Sequence, residues 1–492
     1  MKVNILSGWA LLASLVVCIV GSQAVVADES QVPISLHPAN PHYFLWRGRP
    51  TVLITSGEHY GALVNREFDF VAYFEELASH GLNLTRVFSG AYRETATSFG
   101  ITDNTLAPHA DDYVGPWMRT RVPGARDGGA KFDLTQWNDE YFERLRQLME
   151  AASARNIVVE MTLFCPMYND DIWDISPMNV RNNVNRIGDC DRDSVYSLSN
   201  EALLEVQVAL TRRLVEVLAP FDNVYFEVCN EPYTRDVPRE WEMRIVEEIR
   251  GAQRKGAAPH LISLNVANQT ATLAQAPPGV SLLNFHYCRP PSAVADNHAL
   301  NVAIGENETG FRGSADVLYR TEGWDFMMAG GALFNNLDYS FTAESPDGRF
   351  LDYKSPGGGS PELRRQLGIL KRFFDDMDFV RMGPDAAVVV RASDRLHARA
   401  LSAPGETYAV YVSVKIPYKP ESTATYETES RRAAVELQLL PGLYRVQWTN
   451  TLTGDVEDGG VVEAADSTIT LTSPEFAADI ALRLTRTRDS EQ

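Results

Sequence analysis

Two hydrophobic rhythms alternate along the chain. Short apolar runs at 51–55, 82–88, 157–164, 224–228, 261–266, 281–285, 301–304 and 332–337 read as β-strands. Between them, apolar residues return every three or four positions, the period of an amphipathic helix. Phe70, Val71, Phe74, Leu77 and Ala78 mark such a face after the first run, and Phe142, Leu145, Met149 and Ala152 another after the second. Leu203, Val206, Leu210, Leu214 and Val217 follow the third run, and Trp241, Ile245 and Ile249 the fourth. A last helix carries Leu363, Leu367, Leu370 and Phe374. Eight strands alternating with helices predict an α/β fold, a (β/α)8 TIM barrel, with a long loop at 89–131 and another after the third strand. The competing open, doubly wound sheet usually has a Gly-rich turn after its first strand. Here that strand runs into Ser56-Gly-Glu-His-Tyr60 instead.

From about Pro384 the helical spacing stops. Alternating segments at 408–413, 442–448 and 467–471, with a turn signal at Thr453-Gly454, predict a small all-β sandwich. At the other end, Lys2 precedes an apolar run from Trp9 to Val20 and then small residues. This is the layout of a secretory signal peptide, with cleavage expected after Ala24 or Ala27, and it predicts a secreted or periplasmic protein. An uncleaved anchor is the alternative, but the run is short for a membrane span. The expected organisation is a signal peptide at 1–27, a barrel at 28–383 and a sandwich at 384–492.

Composition narrows the partners. A formal net charge of −20 argues against nucleic acid and anionic membrane surfaces and is compatible with a neutral sugar. Without the leader, Cys165, Cys190, Cys229 and Cys288 remain. An exported protein permits disulfides, and Cys165 and Cys190, flanking one loop, are the expected pair. No Cys-x-x-Cys or His-x-x-x-His pair exists, so no metal site is expected, and nothing calls for a cofactor. The sequence leaves the oligomeric state open.

The chemistry centres on Val224-Tyr-Phe-Glu-Val-Cys-Asn-Glu-Pro232, an apolar strand ending in Asn-Glu-Pro. In a TIM barrel the C-terminal strand ends face the active site. Glu231 there suits a general acid, and Asn230 beside it can hydrogen-bond a sugar hydroxyl. Glu227, earlier on the strand, reads as a buried barrel charge.

On these residues the chain resembles the clan of retaining glycoside hydrolases that includes the cellulase-like family 5. In that clan Asn-Glu ends the fourth barrel strand and a second Glu ends the seventh. Asn230-Glu231 ends the fourth predicted strand, and Ala303-Ile-Gly-Glu-Asn-Glu-Thr-Gly310 forms the seventh. The resemblance implies a two-glutamate double displacement on an oligo- or polysaccharide, with Glu231 as acid/base. Both Glu306 and Glu308 are candidate nucleophiles. Glu308, followed by Thr309-Gly310, is preferred, leaving Glu306 to bind substrate. Gly81-Leu-Asn-Leu-Thr-Arg86 is similar to the motif whose Arg braces the nucleophile. Phe285-His286-Tyr287 is similar to the sixth-strand motif, although the family's His-x-Tyr spacing would put the tyrosine where Cys288 stands. His59 and Trp173 are further candidate pocket residues, and the C-terminal sandwich resembles tails labelled collagen-binding. A barrel of the same fold that only binds carbohydrate or matrix is the alternative. A protease reading lacks both Gly-x-Ser-x-Gly and His-Glu-x-x-His.

Overall fold

The computed structural model describes residue 1 and residues 32–253, 258–465 and 468–487. The predicted leader lies outside the described residues, and among these no helix is long and apolar enough to cross a membrane.

All eight predicted barrel strands form: β1 (Leu53–Gly57), β2 (Leu84–Phe88), β3 (Val158–Phe164), β4 (Val224–Cys229), β5 (Ile262–Asn268), β6 (Leu282–His286), β7 (Ala303–Glu308) and β8 (Leu333–Leu337). They pair in parallel in the order β1-β8-β7-β6-β5-β4-β3-β2. The ring closes between β1 and β2 through Asn83. The Ile54 N–H donates to its Oδ1 at 3.0 Å, and the Asn83 N–H donates to the Ile54 carbonyl at 3.2 Å. Higher up, the Phe88 N–H donates to the Tyr60 carbonyl at 3.2 Å. The strands are buried on both sides: helices cover the outside, and packed side chains, many of them polar, fill the inside.

The covering helices are α1 (Phe70–Ser79), α2 (Asp139–Ala154), α3 (Glu201–Leu218), α4 (Arg239–Ala252), the short α5 (Ser292–Asn297), α6 (Asp316–Met328) and α7 (Pro361–Asp375). Asp69 starts α1 by accepting from the Val71 and Ala72 N–H groups at 2.9 and 3.1 Å. The segment 89–131, expected as loop, contributes to a hairpin of Trp117–Pro123 with Ala130–Trp137. All four described cysteines are free thiols, which corrects the expected Cys165–Cys190 bridge. Cys165 is instead buried at the top of β3, where its sulfur faces the Asn230 amide at 3.5 Å.

The C-terminal part is a β-sandwich, as expected. Its larger sheet contains β9 (Leu396–Ala403), β10 (Thr407–Val414), β11 (Gly442–Asn450), β12 (Val456–Ala464) and β13 (Asp479–Arg486), in the order β9-β10-β13-β11-β12. Alternation along β10 divides its side chains. Tyr408, Val410 and Val412 enter the sandwich core, whereas Ala409 and Tyr411 join the barrel core. Tyr411 stacks on Trp324 of α6, with centroids 5.5 Å apart, and Arg320 of α6 donates to Asp479 of β13 at 2.8 Å. Residues Val317–Met328 of α6 are all buried, because the barrel takes one side of this helix and the sandwich the other.

Candidate active site

Strand ends bring the candidate residues to the C-terminal mouth of the barrel. There they surround a pocket of about 180 Å³. Glu231, just past β4, takes a left-handed backbone conformation (φ 40°, ψ 49°), held where its N–H donates to Asn265 Oδ1 at 3.0 Å. Tyr60, Phe99, Tyr287 and Phe311, all lining the pocket, share positive φ. Such strain costs about 1–3 kcal/mol per residue and persists where surrounding structure enforces it.

Glu231 is held by one hydroxyl and an imidazole, and Glu308 by two hydroxyls and a guanidinium. Glu231 accepts from the Tyr168 hydroxyl at 2.6 Å and lies 3.0 Å from His286 Nδ1. Glu308 accepts from the Tyr287 hydroxyl at 2.5 Å, from the Tyr60 hydroxyl at 2.7 Å and from Arg86 at 3.3 Å. Burial and the neighbouring carboxylates push all three phenols up, so they remain donors. The two carboxyls and His286 present oxygen and nitrogen atoms within 4.8 Å of one another. Among the described residues only this group has the spacing to hold a metal ion. Its carboxylate oxygens, however, already accept from three hydroxyls, and the Arg86 cation faces Glu308, so the surroundings suit a bare anion better than a dication.

Beneath the pocket lies a polar barrel interior. Arg86 pairs with Glu227 and donates to Asn230 Oδ1 at 2.7 Å and to Thr162 at 3.2 Å. Burial opposes its charge, but Glu227, Glu160 and Glu308 outweigh that and keep it a guanidinium. Burial and the Glu227 charge push Glu160 up to about 8. It accepts from Asn284 at 2.7 Å and Asn307 at 3.1 Å. Glu227 is thus a barrel charge below the pocket, and Asn230 links Arg86 to Tyr168, to which its amide donates at 2.8 Å.

For Glu231, burial favours the neutral acid. The hydrogen bond and charge of His286, aided by Tyr168 and Arg86, outweigh it and hold the carboxyl below the usual range.

Four sequence candidates do not line the pocket: Arg86 and His286 stand behind Glu308 and Glu231, and Glu306 and Trp173 are engaged elsewhere. Two-residue periodicity would put Glu306 and Glu308 on one face of an extended strand. The β6–β7 ladder shifts register between Phe285 and His286, so Phe285 pairs with Glu306 and His286 with Glu308. Asn307 therefore points into the barrel and Glu308 into the pocket. Glu306 is fully buried, accepting from the Cys288 N–H at 2.6 Å, and burial and Glu322 of α6 push it well up. Trp173 packs the loop after β3, its indole N–H donating to the Cys190 carbonyl at 3.0 Å. His59, by contrast, lines the pocket and pairs with Glu94 at 3.0 Å. Burial lowers its affinity for a proton, and Glu94, Glu308 and Glu58 more than restore it. Tyr287 reaches Glu308 despite its altered spacing because its left-handed backbone (φ 52°) turns the side chain inward. Tyr60, Glu94 and Tyr339 were not singled out from the sequence as site residues. Tyr60 stood in the unusual Ser-Gly-Glu-His-Tyr turn; Glu94 lay in an insertion without periodicity.

No family model matches the chain, and no curated protein matches it. Solved structures do. A glycoside hydrolase of family 5 from Bacteroides vulgatus aligns over 94% of this chain and 96% of its own, with TM-score 0.61 and 12% identity. Another protein of that organism, provisionally described as a glycoside hydrolase, aligns over 94% and 83%, with TM-score 0.63 and 13% identity. A third, named a glycoside hydrolase, aligns over 94% and 98%, with TM-score 0.60 and 13% identity. At these identities the likeness is one of fold, and it spans barrel and sandwich together.

Proposed function

We propose that this chain is an exported retaining glycosidase acting on β-linked oligo- or polysaccharides, with Glu231 as acid/base and Glu308 as nucleophile. The observation that carries this is the pair of carboxyls from the ends of β4 and β7, facing one another within 4.8 Å across a pocket. Retaining enzymes hold their carboxyls about 5–5.5 Å apart, whereas inverting ones need about 6.5–9.5 Å to admit a water. Named neighbours of the same fold support the reading.

The surroundings divide the roles. Arg86 and two phenol donors hold the Glu308 carboxyl in place for attack on the anomeric carbon. Glu231 gives its proton to the glycosidic oxygen as the carbon–oxygen bond breaks, and the sugar stays esterified to Glu308. His286 Nδ1, 3.0 Å away, is placed to pass a proton to the Glu231 carboxyl. Glu231, now a carboxylate, takes a proton from the water that attacks the anomeric carbon and frees Glu308.

Substituting Glu231→Ala tests the assignment. On glycosides with poor leaving groups the loss should be roughly 10²–10⁴-fold. On dinitrophenyl glycosides it should be far smaller, with azide restoring turnover and giving a β-azide. Equal losses on both substrates would remove Glu231 from the acid role.

A further inference from the structure

We infer that the pocket admits only a chain end, so that the protein removes one terminal, non-reducing sugar at each cleavage. This inference rests on the glycosidase reading. The acid stands on β4, and the leaving group must depart on that side. The sugar seated over Glu308 therefore extends the opposite way, toward the ends of β8, β1 and β2.

That side is closed. The loop after β2 meets the loop after β8, where the Thr102 N–H donates to the Lys354 carbonyl and the Lys354 N–H donates to Thr102 Oγ1, both at 2.9 Å. Phe99 and Ile101 on one side of this clasp, and Pro356 on the other, line the pocket. The Phe311 N–H, from the segment after β7, donates to the Pro356 carbonyl at 2.5 Å and ties a third segment to the wall. A second sugar on this side would have to break the clasp. The enclosed volume, about 180 Å³, is below the roughly 300 Å³ at which ordinary ligand pockets begin, and suits a single ring.

The polar groups at the closed end fit free hydroxyls. Glu94 faces the pocket while accepting from Asn104 at 2.6 Å and Tyr92 at 3.2 Å and pairing with His59 Nε2 at 3.0 Å. The buried Nδ1 of His59 has no hydrogen-bond partner. A terminal hydroxyl can both donate to a carboxylate and pair with an imidazole. A glycosidic oxygen can only accept, and would leave the carboxylate facing a lone pair.

The test uses β-1,4-linked manno-, gluco-, xylo- and galactotetraoses carrying 2-aminobenzamide at the reducing end, with the intact chain as enzyme. Each is compared with its counterpart methylated at O4 of the non-reducing residue, and aryl β-monosaccharides serve as controls. The expected result is a labelled ladder shortening one sugar at a time, with free monosaccharide as the sole unlabelled product and at least a hundredfold slower cleavage of the blocked form. Labelled fragments of several lengths from the start, or cleavage of the blocked form at an equal rate, overturn the chain-end inference and leave the glycosidase reading standing. No hydrolysis of any tetraose or aryl monosaccharide overturns both.

Discussion

Glu231 shares its carboxyl between the Tyr168 hydroxyl and the His286 ring, and both contacts favour the ionised form. Removing the imidazole should therefore raise its pKa, because burial then acts with less opposition. If Glu231 is the acid, the alkaline limb of kcat/KM reports its deprotonation. His286→Gln is predicted to move that limb to higher pH, by about a unit or more, while lowering the maximum rate. A limb that stays put or moves to lower pH would contradict the coupling. Asn230 and Glu231 were legible because an apolar strand ends on them. Of the phenols that meet Glu308, Tyr287 was offered by the Phe285-His286-Tyr287 motif, whereas Tyr60 was not. Both reach Glu308 through left-handed backbone, and no hydrophobic periodicity encodes that.

Among the elements, β7 carries the clearest lesson. Two-residue periodicity puts Glu306 and Glu308 on one face, and the sequence offers both as candidates. The irregular register against β6 separates them, sending Glu306 toward α6 and Glu308 into the pocket. A bulge is a local departure from the period on which the reading depends, so it is invisible there. Glu306→Gln should keep near-normal turnover, since Glu306 lies outside the pocket and an amide oxygen can still accept from the Cys288 N–H. Glu308→Gln should lose roughly three orders of magnitude or more, the loss expected when a nucleophile is removed. Near-normal turnover of Glu308→Gln beside a collapse in Glu306→Gln would reverse the assignment. The strands themselves were legible to within a few residues, because burial leaves each of them a run of apolar positions even where polar side chains enter the barrel. The hairpin of Trp117–Pro123 with Ala130–Trp137 was missed because charged and polar residues interrupt its alternation.

Across the whole molecule, the sandwich covers what would otherwise be an exposed side of the barrel. Tyr411 lies on Trp324, and Arg320 is buried against Asp479. The change of texture near Pro384 showed in the sequence, whereas α6, whose Arg320, Glu322 and Asp325 interrupt its apolar residues, was not read there as a helix. Which faces would meet was not legible, because complementarity between Trp324 and Tyr411 is a property of packing. We propose that the break between the two units falls near residue 383. A chain ending there should aggregate or melt many degrees lower, since it exposes an apolar surface and strands the Arg320 cation. A monodisperse truncation with the parent melting temperature would show that the contact contributes little. The exported, leader-free state is checked by the N-terminus of secreted material, expected at Val25 or Asp28. Material retaining Met1 in the membrane fraction would indicate an anchor.

The central claim is that Glu308 forms a covalent bond to the sugar. A 2-deoxy-2-fluoro glycoside with a dinitrophenyl leaving group, matched to whichever aryl glycoside is turned over, slows the second step and traps the intermediate. Peptide mapping by mass spectrometry should find one fluorosugar per chain, esterified to Glu308 in the peptide containing Thr309 and Gly310. Label on Glu306, or rapid turnover to an α-configured product with no ester formed, would contradict the account.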